Sequence, residues 1–162
     1  MPNHTDNRVI LSHDDSQMID NIYNVMNTEN TELCHYLIPE PRDDENEPTS
    51  GWYDWRIENW GTKWDVYNAT CDRMDANTLV LRFDTAWSPP MPVYEKLTDM
   101  GFEVTARYLD EGWMFIGEYT DGDDWCTQDV ENVVNDYPEL DDEFGISEYL
   151  AEYAEENEDV VA

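Results

Sequence analysis

Apolar and polar positions recur along this chain with two different periods, and the switches between them predict its elements. Residues 8–13 read Arg-Val-Ile-Leu-Ser-His, a short apolar run suited to a buried strand. Met18, Ile19, Ile22, Tyr23, Val25 and Met26 follow at near-helical spacing behind Asp14, Asp15 and Ser16. Those three are good capping residues, so a helix is predicted over about 16–27. Residues 33–38 are either a short helix or an extended connector, ended by Pro39-Glu40-Pro41. Residues 42–50 read as a polar, acidic, mobile loop, and 52–60 as helical or irregular. Two strands are predicted at 64–71 and 78–87, joined by a turn at 72–77. In the second, Leu79, Leu81 and Phe83 alternate with Val80, Arg82 and Asp84. Ser88 caps a second predicted helix with proline in its first turn, Val93, Leu97 and Met100 as its stripe and Gly101 as its stop. Residues 102–109 and 113–119 predict a hairpin about Asp110-Glu111-Gly112, closed by Asp121-Gly122-Asp123-Asp124.

The order strand, helix, insertion, strand, strand, helix, strand, strand is an α+β pattern. It suits an antiparallel sheet with two helices on one face. The expected organisation is one α+β domain over 1–122, with an inserted loop at about 28–62, and an acidic helical extension over 123–162.

Charge changes this picture. The chain carries 39 Asp and Glu against 8 Lys and Arg, a formal net charge of -31. Self-repulsion of that size opposes compaction and needs a packed core to offset it. At 40% hydrophobic and 13% aromatic residues, the chain has the material for one. The charge repels nucleic acid and anionic membranes and attracts basic protein surfaces or cations. A halophilic surface is the other source of such acidity, though this chain is rich in Asn, Tyr, Trp and Met rather than Ala, Val and Gly. Cys34, Cys71 and Cys126 form neither a disulfide framework nor a CxxC site. No secretory signal and no membrane-length apolar run stands out, so a cytoplasmic protein with reduced thiols is expected.

Residues 52–64 and 79–90 hold five of the seven tryptophans and Lys63, one of two lysines. Trp60, Gly61, Lys63, Trp64, Asp84, Trp87, Pro89 and Pro90 read as a structural motif in which scarce cations pair with carboxylates such as Asp84. The same residues would also suit a binding or catalytic cleft, with Lys63 and Asp84 as its polar pair. The opening Met-Pro-Asn-His with Asn7-Arg8, Ile38-Pro39-x-Pro41, Asn59-Trp60-Gly61-Thr62-Lys63-Trp64 and residues 83–90, Phe-Asp-Thr-Ala-Trp-Ser-Pro-Pro, together resemble the YubB-like ferredoxin-fold proteins of plasmids and phages. Gly117 and Tyr119 fit that family's last strand. The resemblance spans about 1–122 and implies a ferredoxin-like sheet and a mobile-element setting. It implies no chemistry.

No catalytic constellation assembles from the residues. Cys34 and His35 are adjacent, and neighbours in sequence rarely face each other productively. His4, His13 and His35 hold no zinc spacing with the cysteines. Asp121-x-Asp123-Asp124 lacks the spacing and terminal Glu of an EF-hand and amounts to a weak cation site at most. A ferredoxin-like sheet can read RNA, but not at this net charge. The chain is therefore expected to be no enzyme and to need no cofactor or metal.

From residue 123 onward there is no Lys or Arg. Ile146, Tyr149, Leu150, Tyr153 and Ala154 predict one apolar face of a helix starting near Ser147, and Val130, Val133 and Val134 a shorter one before Pro138. Opposite the apolar face, Glu148, Glu152, Glu155 and Asp159 form a stripe. With Asp141, Asp142, Glu143 and Glu156 they make the expected partner-binding surface. The function this predicts is a phage- or plasmid-encoded DNA mimic that blocks the nucleic-acid-binding surface of a host defence protein, a restriction or CRISPR complex, in the host cytoplasm. Its partner would be a basic nucleic-acid-binding protein, with no direct nucleic acid and no membrane. A ligand-binding or enzymatic domain using the Trp-rich face is the alternative, and an acidic structural or assembly protein a third.

Overall fold

The computed structural model describes the backbone of residues 3–161 and the side chains of residues 3–156. Strand β1 (His4–Ser12) runs through the middle of a six-stranded sheet, antiparallel to β3 (Thr78–Ala86) and β4 (Glu103–Asp110) on either side. β2 (Tyr67–Asp75) pairs outside β3. Beyond β4 lie β5 (Ile116–Thr120) and β6 (Asp123–Thr127), giving the order β2-β3-β1-β4-β5-β6. Helix α1 (Ser16–Met26) connects β1 to β2 by way of the short α2 (Leu33–Leu37) and α3 (Trp52–Asn59), and α4 (Met91–Asp99) connects β3 to β4. The succession β1-α1-β2-β3-α4-β4 with order β2-β3-β1-β4 is the ferredoxin-like arrangement, with one hairpin added at the β4 edge.

The period of two decides what each sheet face does. Thr5, Asn7, Val9 and Leu11 of β1 are buried, while Asp6, Arg8 and Ile10 point the other way. On the first face Val9, Leu11, Leu79, Leu81, Phe83, Val104 and Ala106 pack against Ile19, Ile22 and Met26 of α1 and Val93, Tyr94 and Leu97 of α4. Each such side chain contributes roughly 1.5–3 kcal/mol when fully buried. Three polar members of this layer are satisfied in a chain, while the buried Thr5 hydroxyl has no hydrogen-bond partner among the described residues. The Tyr94 hydroxyl donates to Asn7 Oδ1 at 2.7 Å, and Asn7 Nδ2 donates to Thr85 Oγ1 at 2.9 Å.

The second face is half covered. Leu109 and Ile116 point away from the first core and gather Val130, Val133, Leu140 and Ile146 from the C-terminal segment, with Trp113, Trp125, Phe144 and Leu150 around them. That segment is three helices, α5 (Val133–Asp136), α6 (Pro138–Phe144) and α7 (Ile146–Val161). Residues 123–127, expected to open a helical extension, form strand β6 instead. The expected boundary at Gly122 falls in the turn of a hairpin. Asp121 and Gly122 both have positive φ, 46° and 105°, as the favoured two-residue hairpin turn requires.

Other elements differ locally, each for a physical reason. β1 starts at His4 because polar Thr5 and Asn7 occupy inward positions and interrupt the apolar pattern. Ser88 does not cap α4. Pro90 sits at the N-cap without a side-chain cap bond, and the Ser88 hydroxyl donates to the Gly61 carbonyl. Loop 42–50 is organised rather than loose. Asp43 Oδ1 accepts from the Glu45 and Glu47 amides at 2.9 and 3.0 Å, and Arg42 pairs with Pro48 in an isolated bridge. β2 extends to Asp75, leaving a turn of only Ala76-Asn77. β5 starts at Ile116, because the buried Asp110 carboxylate accepts from the Gly112 and Met114 amides and bends residues 111–115 into a turn.

Candidate functional site

Where the few cations go determines what surface remains. Glu40, at 1% side-chain exposure, accepts both guanidinium arms of Arg56 at 2.7 Å and that of Arg42 at 3.1 Å, and Arg42 also holds Glu32 at 2.8 Å. Arg56 stacks over Trp52 and Trp60, 4.8 and 5.0 Å from their centroids. Burial alone would raise the Glu40 carboxyl; the hydrogen bonds and charge of Arg56, then Arg42, overcome it and hold the group below its ordinary value of 4.5. Arg73 pairs with Asp20 at 2.7 Å, Arg8 with Asp6 at 3.1 Å, and Arg107 faces Glu118 at 3.5 Å. Five of the eight cationic side chains are thus matched to carboxylates within the fold.

Lys63 takes another route. The expected Lys63–Asp84 pair does not form among the described residues. The Lys63 ammonium stands 5.9, 5.2 and 5.4 Å from the ring centroids of Tyr53, Trp64 and Trp87. Asp84 instead accepts from Asn68 Nδ2 at 2.9 Å. A cation shared by three rings needs no carboxylate, because the negative ring faces supply the field. The two motif segments are sewn together around it. Thr62 Oγ1 donates to the Trp64 carbonyl at 3.0 Å and accepts from the Ala86 amide at 3.0 Å. Gly61 (φ 76°) lies so close to Pro92 that a Cβ there would come within 3.0 Å of its ring. Pro89 and Pro90 are buried. Trp60 is fully buried and donates its indole N–H to the Ile38 carbonyl at 2.8 Å. Trp60, Trp64 and Trp87 therefore do not line a common open cleft, since Trp60 belongs to the core.

The adjacent Cys34 and His35 do not make a nucleophile and base. Burial, then the Asp65 carboxylate, push the Cys34 thiol up, so little thiolate is available. His35 Nδ1 accepts from the Glu40 amide at 3.0 Å. Asp65, itself raised by burial, caps α2 by accepting from the Cys34 and His35 amides at 2.9 Å each. Among the described residues no group of three or more His, Cys, Asp or Glu is placed to hold a metal ion. No helix there is long and apolar enough to cross a membrane.

The carboxylates of the expected partner surface divide. Glu148, Glu152, Glu155 and Glu156 of α7 and Asp142 of α6 are exposed. Asp141 serves the fold, its Oδ1 accepting from the Ser147 amide at 2.7 Å. Glu143 is half-buried, and its carbonyl accepts from Arg8, whose guanidinium lies 4.7 Å from the Phe144 ring centroid. The Asp159 side chain lies outside the described residues. One feature escaped the sequence reading. Arg82 and Arg107 are the cross-strand partners of Arg8, so three arginines form a row across the second sheet face, with α6 fastened on the middle one. The signal was the alternation, but it becomes a row only once the register is known.

Residues 63–159 match a family described as the ferredoxin-like domain in Api92-like protein, and the chain belongs to that family. The match runs through the acidic helices, which the motif resemblance had left out. No curated protein matches the chain. Among solved structures, a protein api92 from Yersinia pseudotuberculosis is similar, with a TM-score of 0.46 and 21% identity over 59% of this chain. This chain spans 38% of that one.

Proposed function

We propose that this member of the Api92-like ferredoxin-like domain family is an acidic interaction protein that acts as a DNA mimic. It occupies the nucleic-acid-binding surface of a basic protein. One observation carries the reading: five of the eight cations are matched to carboxylates of the same fold and Lys63 to aromatic rings, while a folded helix bearing Glu148, Glu152, Glu155 and Glu156 faces water with no Lys or Arg anywhere in 123–162. At a rise of about 1.5 Å per residue, these four carboxylates span about 12 Å of the α7 axis, one per roughly 3–4 Å, close to the ~3.4 Å phosphate spacing along one strand of duplex DNA. Carboxylates of this kind stand in for phosphates without base edges and without a cleavable bond. In its finer form the reading makes the chain a YubB-like, phage- or plasmid-borne inhibitor of a restriction or CRISPR complex, working in the host cytoplasm.

The test is capture of a partner from host lysate followed by competition with duplex DNA. The expected result is a basic DNA-binding protein that duplex DNA displaces, and whose complex weakens as salt brings the Debye length below ~10 Å. A partner that binds DNA equally well with this protein present and absent would rule mimicry out.

A further inference from the structure

Between the β4–β5 turn and α7 lies a cavity of about 480 Å³, lined by Glu111, Trp113, Glu131, Tyr149, Leu150 and Tyr153. Its walls are aromatic and its rim is acidic. The Trp113 and Tyr149 rings are 4.8 Å apart, and Tyr149 and Tyr153 are 6.4 Å apart with planes only 14° from parallel. Both tyrosines are more than half exposed, at 54% and 57%. Leu150 and Ile146 already anchor α7 to the second cluster, so the tyrosines are surplus to that docking. Trp113 is held in place at a cost. Its φ is 59°, a conformation bulky residues rarely take. The Asp110 turn imposes it, with the Trp113 amide donating to the Asp110 carbonyl at 2.9 Å. Strain of this kind, roughly 1–3 kcal/mol, persists where surrounding structure over-determines it and clusters at binding sites.

Charge selects the occupant. Glu111 and Glu131 stand at the cavity, and helical spacing sets Glu152 and Glu156 beside Tyr149 and Tyr153 on the same side of α7. A second copy of the chain, itself at -31, is repelled. Aromatic faces flanked by carboxylates suit a cation, and a guanidinium more than an ammonium, being planar, less strongly hydrated and able to stack.

We infer that this groove is the arginine-binding subsite of the acidic surface, taking guanidinium side chains from a basic protein partner. The inference rests on the reading above, and deepens it by adding chemical selection to charge. The carboxylate stripe attracts any polycation; the groove tells arginine from lysine.

The experiment compares oligo-arginine and oligo-lysine peptides of equal length, binding to the full chain at low salt, read by Trp fluorescence and calorimetry. The second protein is Tyr149→Leu/Tyr153→Leu, which keeps apolar bulk and removes both π faces; circular dichroism confirms its fold. The expected result is tighter binding of oligo-arginine, by about twofold to fivefold per engaged ring. The double variant should lose that preference while its oligo-lysine affinity stays within error. Equal affinity of the wild type for both peptides, or a preference that survives in the variant, overturns the subsite and leaves the electrostatic reading standing. Binding of neither peptide overturns both. A wild-type dimer that the variant dissolves into monomers overturns it in favour of a self-interface.

Discussion

The inserted segment around α2 and α3 and the C-terminal segment α5–α7 use the same residue type in opposite ways. In the insertion, Glu40 is sunk beneath Arg42 and Arg56, whose side chains are themselves only 11% and 13% exposed. Every atom of that cluster is spoken for, and it fixes loop 42–50 and α3 to the rest. In the C-terminal segment the apolar residues do the fastening, through Val130, Val133, Leu140 and Ile146. Most of the described carboxylates there, such as Asp142, Glu148, Glu152, Glu155 and Glu156, meet no cation and face water. A carboxylate stabilises a fold only when a partner follows it out of solvent. Left in water it contributes little to stability and is free to act on another molecule.

The largest break in that contrast should come from Glu40→Ala. It leaves the Arg56 guanidinium without a carboxylate inside the structure and Arg42 with Glu32 alone, and removing one member of a buried ion cluster costs about 3–5 kcal/mol. Urea unfolding should show this as a lower midpoint at unchanged slope. Acid titration sharpens the point. Because the folded Glu40 value is depressed, its stabilisation is complete above the ordinary carboxyl value of 4.5 and is lost as pH falls through the lowered folded value. The wild type should therefore lose stability below that pH more steeply than Glu40→Ala, whose midpoint has no such contribution to lose. Parallel pH profiles of the two proteins would show that the cluster is not the acid-sensitive element.

Ile146→Ala tests the other region. Ile146 is fully buried where α6 hands over to α7. Truncating it should cost about 2–5 kcal/mol, by lost transfer energy and the cavity left behind. The loss should be local. Amide exchange should quicken across α6 and α7 while β1 and β3 keep their protection. Uniform loss of protection would mean that the two hydrophobic clusters unfold as one unit.

Much of this architecture could be read from the residues, and the failures share a cause. The alternation in Leu79, Leu81 and Phe83, the α1 and α4 stripes, the Gly101 stop and the apolar face of α7 are local signals, and each element formed where its pattern lay. What stayed hidden depends on partners distant in sequence. Loop 42–50 looked loose because the residue that anchors Arg42 is a glutamate whose burial also needs Arg56, sixteen residues from it. Lys63 looked like half of an ion pair because sequence shows charges and not ring faces. Ser88 looked like a cap because its true acceptor, the Gly61 carbonyl, sits on another segment. The acidic stripe was legible, since a helical period places it. The groove beside it was not, because Trp113 reaches Tyr149 only through a turn that Asp110 bends.

The smallest expected effect on stability belongs to the stripe itself. Replacing Glu148, Glu152, Glu155 and Glu156 together by Gln keeps side-chain shape and removes four charges from α7. Exposed like charges at i, i+4 oppose a helix by roughly 0.2–0.5 kcal/mol per pair, and Glu148 with Glu152 and Glu152 with Glu156 are two such pairs. Near the helix N-terminus the balance shifts, since Glu148 in the first turn faces the positive end of the dipole. The two terms oppose each other, so the midpoint of thermal unfolding should stay the same or rise slightly. Binding should respond far more. Complementary charge chiefly speeds encounter, so association with a basic partner should slow at low salt while dissociation changes less. The difference between variant and wild type should shrink as salt rises, because screening removes in both what substitution removed in one. A variant that associates at the wild-type rate in low salt would take α7 out of the interface, and the outward carboxylates would then be a solvated face with no partner to meet.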